Sequence, residues 1–230
     1  MTLYDSSKIN NIKYKFKDIE KINQNYSQSY QDMFVLSMLD GKKNGIFIEI
    51  GAHDATFISN TFLLENQFDW DGISVDIEYS AQNSFINCRR KNDFILNDAL
   101  KINYKDLFIK KKYPRQIDYL QIDIEPMTNT FECLKLMPLD DYRFSVITFE
   151  TDYYDPNTPK KTKDFIRNSS RDLLKSKGYK LIVGNICNTS TKDPFEDWYV
   201  DPFVINQDII KLFLNSSEYD NTAEQYMLSK

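Results

Sequence analysis

One histidine, three cysteines and no long apolar run limit what this 230-residue chain can do. With His53 as its single imidazole, the chain cannot build a multi-histidine metal centre, and a Ser-His-Asp triad can run only through that residue. Cys88, Cys133 and Cys187 are odd in number and widely spaced, which fits neither a disulfide framework nor a zinc knuckle. Reduced core thiols in a cytoplasmic protein are the expectation. The N-terminal stretch MTLYDSSKINNIKYKFKDIE lacks the apolar segment of a secretion signal. No later run approaches the roughly 20 apolar residues of a membrane span, so no membrane partner is expected. Positive charge is not in excess either: the net charge is −5, which disfavours a nucleic-acid partner.

What is present is the composition of a globular domain, 41% apolar and 27% charged, long enough for one sizeable core. The informative stretch is Ile46 to Thr61, IFIEIGAHDATFISNT. Its short apolar run suits a strand buried on both faces, and it stops at Glu49 and Gly51 before a polar loop. Further strands are expected at Gly72 to Ile77, Phe94 to Asn97, Asp118 to Ile124, Phe144 to Phe149 and Tyr179 to Val183. A last strand and helix are expected from Pro202 to Leu214. Helices are expected around Met33 to Leu39, Phe62 to Phe68, Ala81 to Arg90, Asn129 to Leu136 and Asp164 to Lys177. This alternation predicts an α/β fold, a doubly wound and mostly parallel sheet with helices on both faces. Residues 1–25 read as a polar surface arm, 26–214 as a single domain and 215–230 as a polar tail.

In such a sheet, ligands bind just beyond the carboxyl ends of the strands. Acids stand there at nearly every strand: Glu49, Asp76, Asp98, Asp123 with Glu125, and Glu150 with Asp152. Asp76 suits a ribose diol, since a carboxylate accepts both hydroxyl protons, and Asp98 suits either an adenine amino group or a helix N-cap. The glycine turn has neither the GxGxxG nor the GK[ST] spacing and carries no lysine or arginine to meet a diphosphate. It holds Glu49 and Asp54 instead. An acidic crevice repels polyphosphate and favours a cationic adenosyl ligand, which is S-adenosylmethionine.

The strings FIEIGAHDATFISNTFLLE, YSQSYQDMFVL, IDYLQIDIEP with FSVITFE, and FEDWYVDP together resemble the FkbM-type S-adenosylmethionine-dependent methyltransferases over roughly residues 26–204. The resemblance implies a class I Rossmann-like fold with a seven-stranded sheet, and O-methylation of a hydroxyl on a sugar or glycosylated metabolite. It further implies a cofactor cradle at Glu49, Gly51, Ala52, Asp54, Ser59 and Asn60, a ribose acid at Asp76, and adenine contacts at Asp98 and Ala99. Asp123 and Glu125 are expected beside the transferred methyl, with Gln28, Gln31 and Asp32 facing the same cavity. The chain departs from the family's pattern at Pro126, where glycine is common, and at His53 and Ala55 in the first turn.

Asp123, Glu125 and His53 are the candidate general bases. Asp123, Glu150 and Asp152 offer oxygen ligands to a magnesium or calcium ion, although a metal-free base is preferred. Trp198 is placed either on a sugar face or in the core. The Lys110 to Lys112 run reads as a solvated face. A non-catalytic nucleoside-binding module and a methyltransferase with a nucleic-acid acceptor are the alternatives.

Overall fold

The structure, a computed structural model, describes residues 11–187, 193–214 and 221–229. The first ten residues of the expected arm, and residues 215–220 and 230 of the expected tail, lie outside the described residues.

The strands are β1 Ile46–Ile50, β2 Asp71–Asp76, β3 Asp93–Leu96, β4 Gln116–Ile122, β5 Arg143–Glu150, β6 Lys180–Cys187, β7 Pro194–Val200 and β8 Asn221–Thr222. They form one sheet in the order β3-β2-β1-β4-β5-β7-β6-β8. Strands β1 to β5 pair in parallel, and β7 runs antiparallel to both β5 and β6. The expected seven-stranded, mostly parallel sheet is thus present, with a two-residue eighth strand at its edge.

Side-chain alternation along the strands divides the core in two. Phe47, Tyr119 and Val146 point to one side, where they meet the helices α1 Gln31–Met38, α2 Phe62–Phe68 and α7 Gln207–Phe213. Their neighbours Ile48, Leu120 and Ile147 point to the other side, against α4 Tyr104–Lys111, α5 Met127–Leu136 and α6 Lys160–Ser176. Both faces are covered, which explains why β1 reads as a near-continuous apolar run, while β4 and β5 bury Asp118, Gln121, Ser145 and Thr148 among their apolar residues. On α6 the buried positions Ile166, Ser170 and Leu174 repeat every fourth residue, one stripe on an otherwise charged helix. The remaining helices are α3 Tyr79–Asn87 and α8 Ala223–Met227.

Three expectations are corrected. The strand expected from Pro202 is instead β7, Pro194–Val200, and residues 202–206 form a turn before α7. Glu196 and Asp197 interrupt its apolar pattern, and both are buried by hydrogen bonds that no periodicity reveals. The Lys110 to Lys112 run is largely solvated as expected, with Lys110 and Lys112 exposed, and it closes a helix not expected there, α4, anchored by buried Tyr104 and Phe108. The expected surface arm is docked over residues 11–25, because Ile12, Phe16, Ile19 and Ile22 bury their side chains in the core. The described part of the expected polar tail also packs, through Ala223, Tyr226 and Met227.

Candidate active site

Between β1 and β4 the strand order reverses, and the chain ends of both strands open a crevice there. Gly51 forms its floor. Its φ is +85°, and a Cβ at this position would lie 1.6 Å from the Asp123 carbonyl oxygen, so no side chain fits. The N–H groups of Gly51 and Ala52 both donate to the Val75 carbonyl, at 2.9 and 3.1 Å, while the Asp123 N–H donates to Ile50 at 2.9 Å. The turn is thereby drawn against both neighbouring strands.

The loop that follows is held by its own polar side chains. Asp76 accepts the His53 N–H at 2.8 Å on one oxygen and the Glu78 N–H at 2.9 Å on the other. Asp54 accepts the N–H groups of Thr56 and Phe57 and the Ser84 hydroxyl. Burial tends to raise its carboxyl, but those donors outweigh it and hold the group below the ordinary carboxylate range. Ser59 accepts the Phe62 N–H at 3.1 Å at the start of α2. Beneath the loop lies Arg90, whose side chain is 1% exposed. It donates to Glu65 at 2.8 Å, to the Ala55 carbonyl at 2.7 Å and to Thr61 Oγ1 at 2.9 Å. Thr61 in turn donates to Glu49 Oε2 at 2.9 Å, where the Ser74 hydroxyl also donates. Burial raises the Glu49 carboxyl, opposed by the nearby Arg90 charge. Nothing in the local text around Arg90 singles out this clamp, because its partners lie 25 to 35 residues away.

Two cavities open from the crevice and share Gln28, Asp123 and Glu150. The inner one, about 40 Å³, lies among Glu49, Gly51, Ala52, His53, Asn60, Gln31 and Gln121. Asn60 Oδ1 and Gln121 Oε1 are buried there without a hydrogen-bond partner. The outer one, about 420 Å³, adds Glu125, Asp152, Tyr154, Asp193 and Phe195. A bridge between Ser27 and Ile58 seats the segment before α1 on the loop and brings Gln28 and Gln31 to the cavities. Ile58, a β-branched residue at φ +52°, carries backbone strain at that junction.

The electrostatics of the outer cavity are those of clustered acids. Glu150 is raised well above its ordinary value, by burial first and then by the negative charge of Asp123, with which it hydrogen-bonds. Asp123 is raised by burial too, while its bond to Glu150 stabilises the charged form. Both carboxyls being raised, the pair holds a shared proton. Asp152 is pushed up to about 6, mainly by burial. Behind them Glu196, buried and opposite Glu150 in the β5–β7 pairing, is raised to about 8 by burial. Among the described residues no group of three His, Cys, Asp or Glu side chains is arranged to hold a metal ion.

The structure thus gathers Glu49, Gly51, Ala52, His53, Asn60, Gln28, Gln31, Asp123, Glu125, Glu150 and Asp152 at the cavities. Asp54 and Ser59 shape the loop without lining either cavity. Asp76 is at the turn, outside both. Asp98 caps the short 3-10 turn Ala99–Lys101 through the Leu100 N–H at 2.9 Å and pairs with Lys101, and Ala99 is buried in the core. Asp32 is fully buried and accepts from Ser27 Oγ, Tyr26 N–H and Met33 N–H, so it ties the turn before α1 and does not line the cavities. Trp198 stacks on Phe34 at 4.4 Å within the core, which excludes the sugar-face position. Gln121, Tyr154, Asp193 and Phe195 were not legible as site residues, since each sits in the cavity through strand pairing and loop placement alone.

No family model matches the sequence, and no curated protein matches it. Solved structures do share the fold. An O-methyltransferase from Bacillus cereus crystallised with SAH aligns with a TM-score of 0.53 and 15% identity, over 76% of this chain and 82% of that one. A chain of a fibrillarin/Nop5p complex aligns with a TM-score of 0.51 and 15% identity, over 83% and 91%. The chain has the Rossmann-like fold of class I methyltransferases.

Proposed function

We propose that this chain is an S-adenosylmethionine-dependent methyltransferase of the FkbM type, which O-methylates a hydroxyl of a sugar or glycosylated metabolite. The observation that carries the reading is a glycine turn with no room for a Cβ, opening directly onto a carboxylate-lined cavity at the reversal of strand order. The inner cavity fits the cationic end of such a cofactor. Glu49, with the unpartnered Asn60 Oδ1 and Gln121 Oε1, provides acceptors for ammonium N–H groups, and among the described residues no lysine or arginine lines the space. Each oxygen of Asp76 already accepts one N–H and keeps a lone pair for a ribose hydroxyl.

When bound, S-adenosylmethionine supplies the activated methyl group. Asp123, on the wall common to both cavities and paired with Glu150, then accepts the acceptor hydroxyl's proton. His53 is the second base at the rim of the inner cavity. Gln28, on the wall common to both cavities, orients the acceptor. Five acids around the outer cavity oppose a polyanionic nucleic-acid acceptor.

Calorimetry with S-adenosylmethionine and its demethylated product, followed by a product assay over hydroxyl acceptors, tests the reading. Asp123→Asn is expected to lower turnover ~100-fold or more while leaving cofactor affinity intact. Unchanged turnover removes Asp123 as the base. Binding without product on any hydroxyl acceptor points to a non-catalytic module, and absence of binding ends the proposal.

A further inference from the structure

We infer that the chain forms a two-fold symmetric homodimer through the outer face of α3, with the α3 helices of the two copies packed antiparallel. No residue of α3 lines either cavity, so the contact does not depend on the reading of the crevice as a methyl-transfer site.

Helix α3, YSAQNSFIN, joins β2 to the edge strand β3. Ala81 and Phe85 turn inward, where the Phe85 ring meets that of Phe94 at 4.8 Å. The opposite face stands in solvent, with Tyr79 72% and Ile86 65% exposed and Asn83 between them on the same helical stripe. Two large apolar side chains left out on one stripe mark a contact surface, since covering them recovers the free energy of their hydration. The stripe is also free of charge. On the other solvated helices the exposed positions carry it, as Lys105 and Asp106 do on α4, Glu132 and Lys135 on α5, and Lys161 and Asp172 on α6. A charge-free face with an apolar centre is the composition of a homodimer contact, not of a solvated helix.

Charge at the two ends of the face selects a second copy as the occupant. Glu78 immediately precedes α3, and Arg89 and Lys91 follow it. All three are exposed, and none has an ion-pair partner among the described residues. A two-fold contact brings the same patch of both copies together, so the acidic end of one α3 meets the basic end of the other only when the helices run antiparallel. With the axis at Asn83, midway along the helix, Tyr79 of one copy covers Ile86 and Asn87 of the other, and Glu78 lies beside Arg89. The two Asn83 carboxamides face each other on the axis, where each donates an N–H and accepts one. Ser80 and Asn83 are short enough for the helix axes to approach to ~8–10 Å.

Sedimentation equilibrium of the full chain over ~1–200 μM tests the contact, because an interface of this small class holds at ~10 μM. The mass is expected to rise with concentration from 27.2 kDa to twice that value. Ile86→Glu is expected to weaken association ~100-fold, since each dimer then buries two carboxylates. Glu78→Arg and Arg89→Glu are each expected to weaken it ~10-fold, because both end contacts of the dimer lose their attraction. The two exchanges together in one chain are expected to restore it, which a purely structural effect of either substitution does not do. Circular dichroism and urea unfolding show whether each variant is folded; if Ile86→Glu is not, the paired exchange carries the test. A chain that is monomeric at every concentration overturns the inference. A dimer that persists in folded Ile86→Glu overturns it in favour of another face, and a double exchange no tighter than the single ones overturns the antiparallel pairing.

Discussion

Replacing Glu196 by Gln removes a charge from an enclosed position while nearly preserving shape. Glu196 is 2% exposed, accepts from Trp198 Nε1, and accepts from Gln31 Nε2 at 3.3 Å. Burial, as the largest cause, lifts its carboxyl from 4.5 to about 8. A carboxyl raised on folding binds its proton more tightly in the native state than in the unfolded chain. Its contribution to stability is complete below pH 4.5 and is lost as pH rises through 8. In the middle of that window the native state holds one proton that the unfolded chain lacks, which gives a slope of about −1.4 kcal/mol per pH unit. Over the whole window the loss reaches ~5 kcal/mol. Urea unfolding of the native protein and Glu196→Gln, at several pH values across the window, measures the difference. The native protein is expected to lose stability ~1.4 kcal/mol per pH unit faster than the variant. The amide places a donor opposite Gln31 Nε2, where the native oxygen accepts, and this adds an offset of ~1 kcal/mol that does not vary with pH. Parallel pH profiles for the two proteins refute the reasoning, because they mean that Glu196 is ionised throughout.

Gly51→Ala is expected to abolish S-adenosylhomocysteine binding and to cost ~3 kcal/mol or more, from the clash with Asp123 and the left-handed backbone together; calorimetry and chemical denaturation check both parts. Arg90→Met leaves Glu65 buried without its cation, so a loss of ~3–5 kcal/mol in unfolding free energy is expected, with weaker cofactor binding as the loop at Ala55 loosens. Trp198→Ala opens the core against Phe34 and is expected to cost ~3–5 kcal/mol in denaturation, with acceptor preference unchanged in the folded fraction.

The strand and turn at Ile46 to Thr61 were legible because two local signals coincide: an apolar run that demands burial, and a glycine at the position where β1 turns against β2 and β4. The acids at strand ends were legible for the same reason, since strand boundaries are local. Their roles were not. Asp54, Asp76, Asp98 and Asp32 look alike in the text, yet one ties a loop, one anchors the turn, one caps a 3-10 turn and one is buried beneath Ser27. Which donors reach a carboxylate depends on chain segments brought from elsewhere. The strand Pro194–Val200 was missed because Glu196 and Asp197 break its periodicity, and the partners that let them be buried, Gln31 and Arg171, lie 165 and 26 residues away.

By itself the sequence determined the alternation of strands and helices, the crevice glycine, the acid at nearly every strand end, and the lack of basic residues in the turn. These follow from periodicity, backbone sterics and charge, which act within a few residues. The tertiary structure alone decided that Arg90 clamps the loop, that Trp198 belongs to the core, and that Asp123, Glu150 and Asp152 meet in one cavity without a counterion among the described residues. Burial and proximity set the energy of a charge, and both arise only when distant strands are laid side by side.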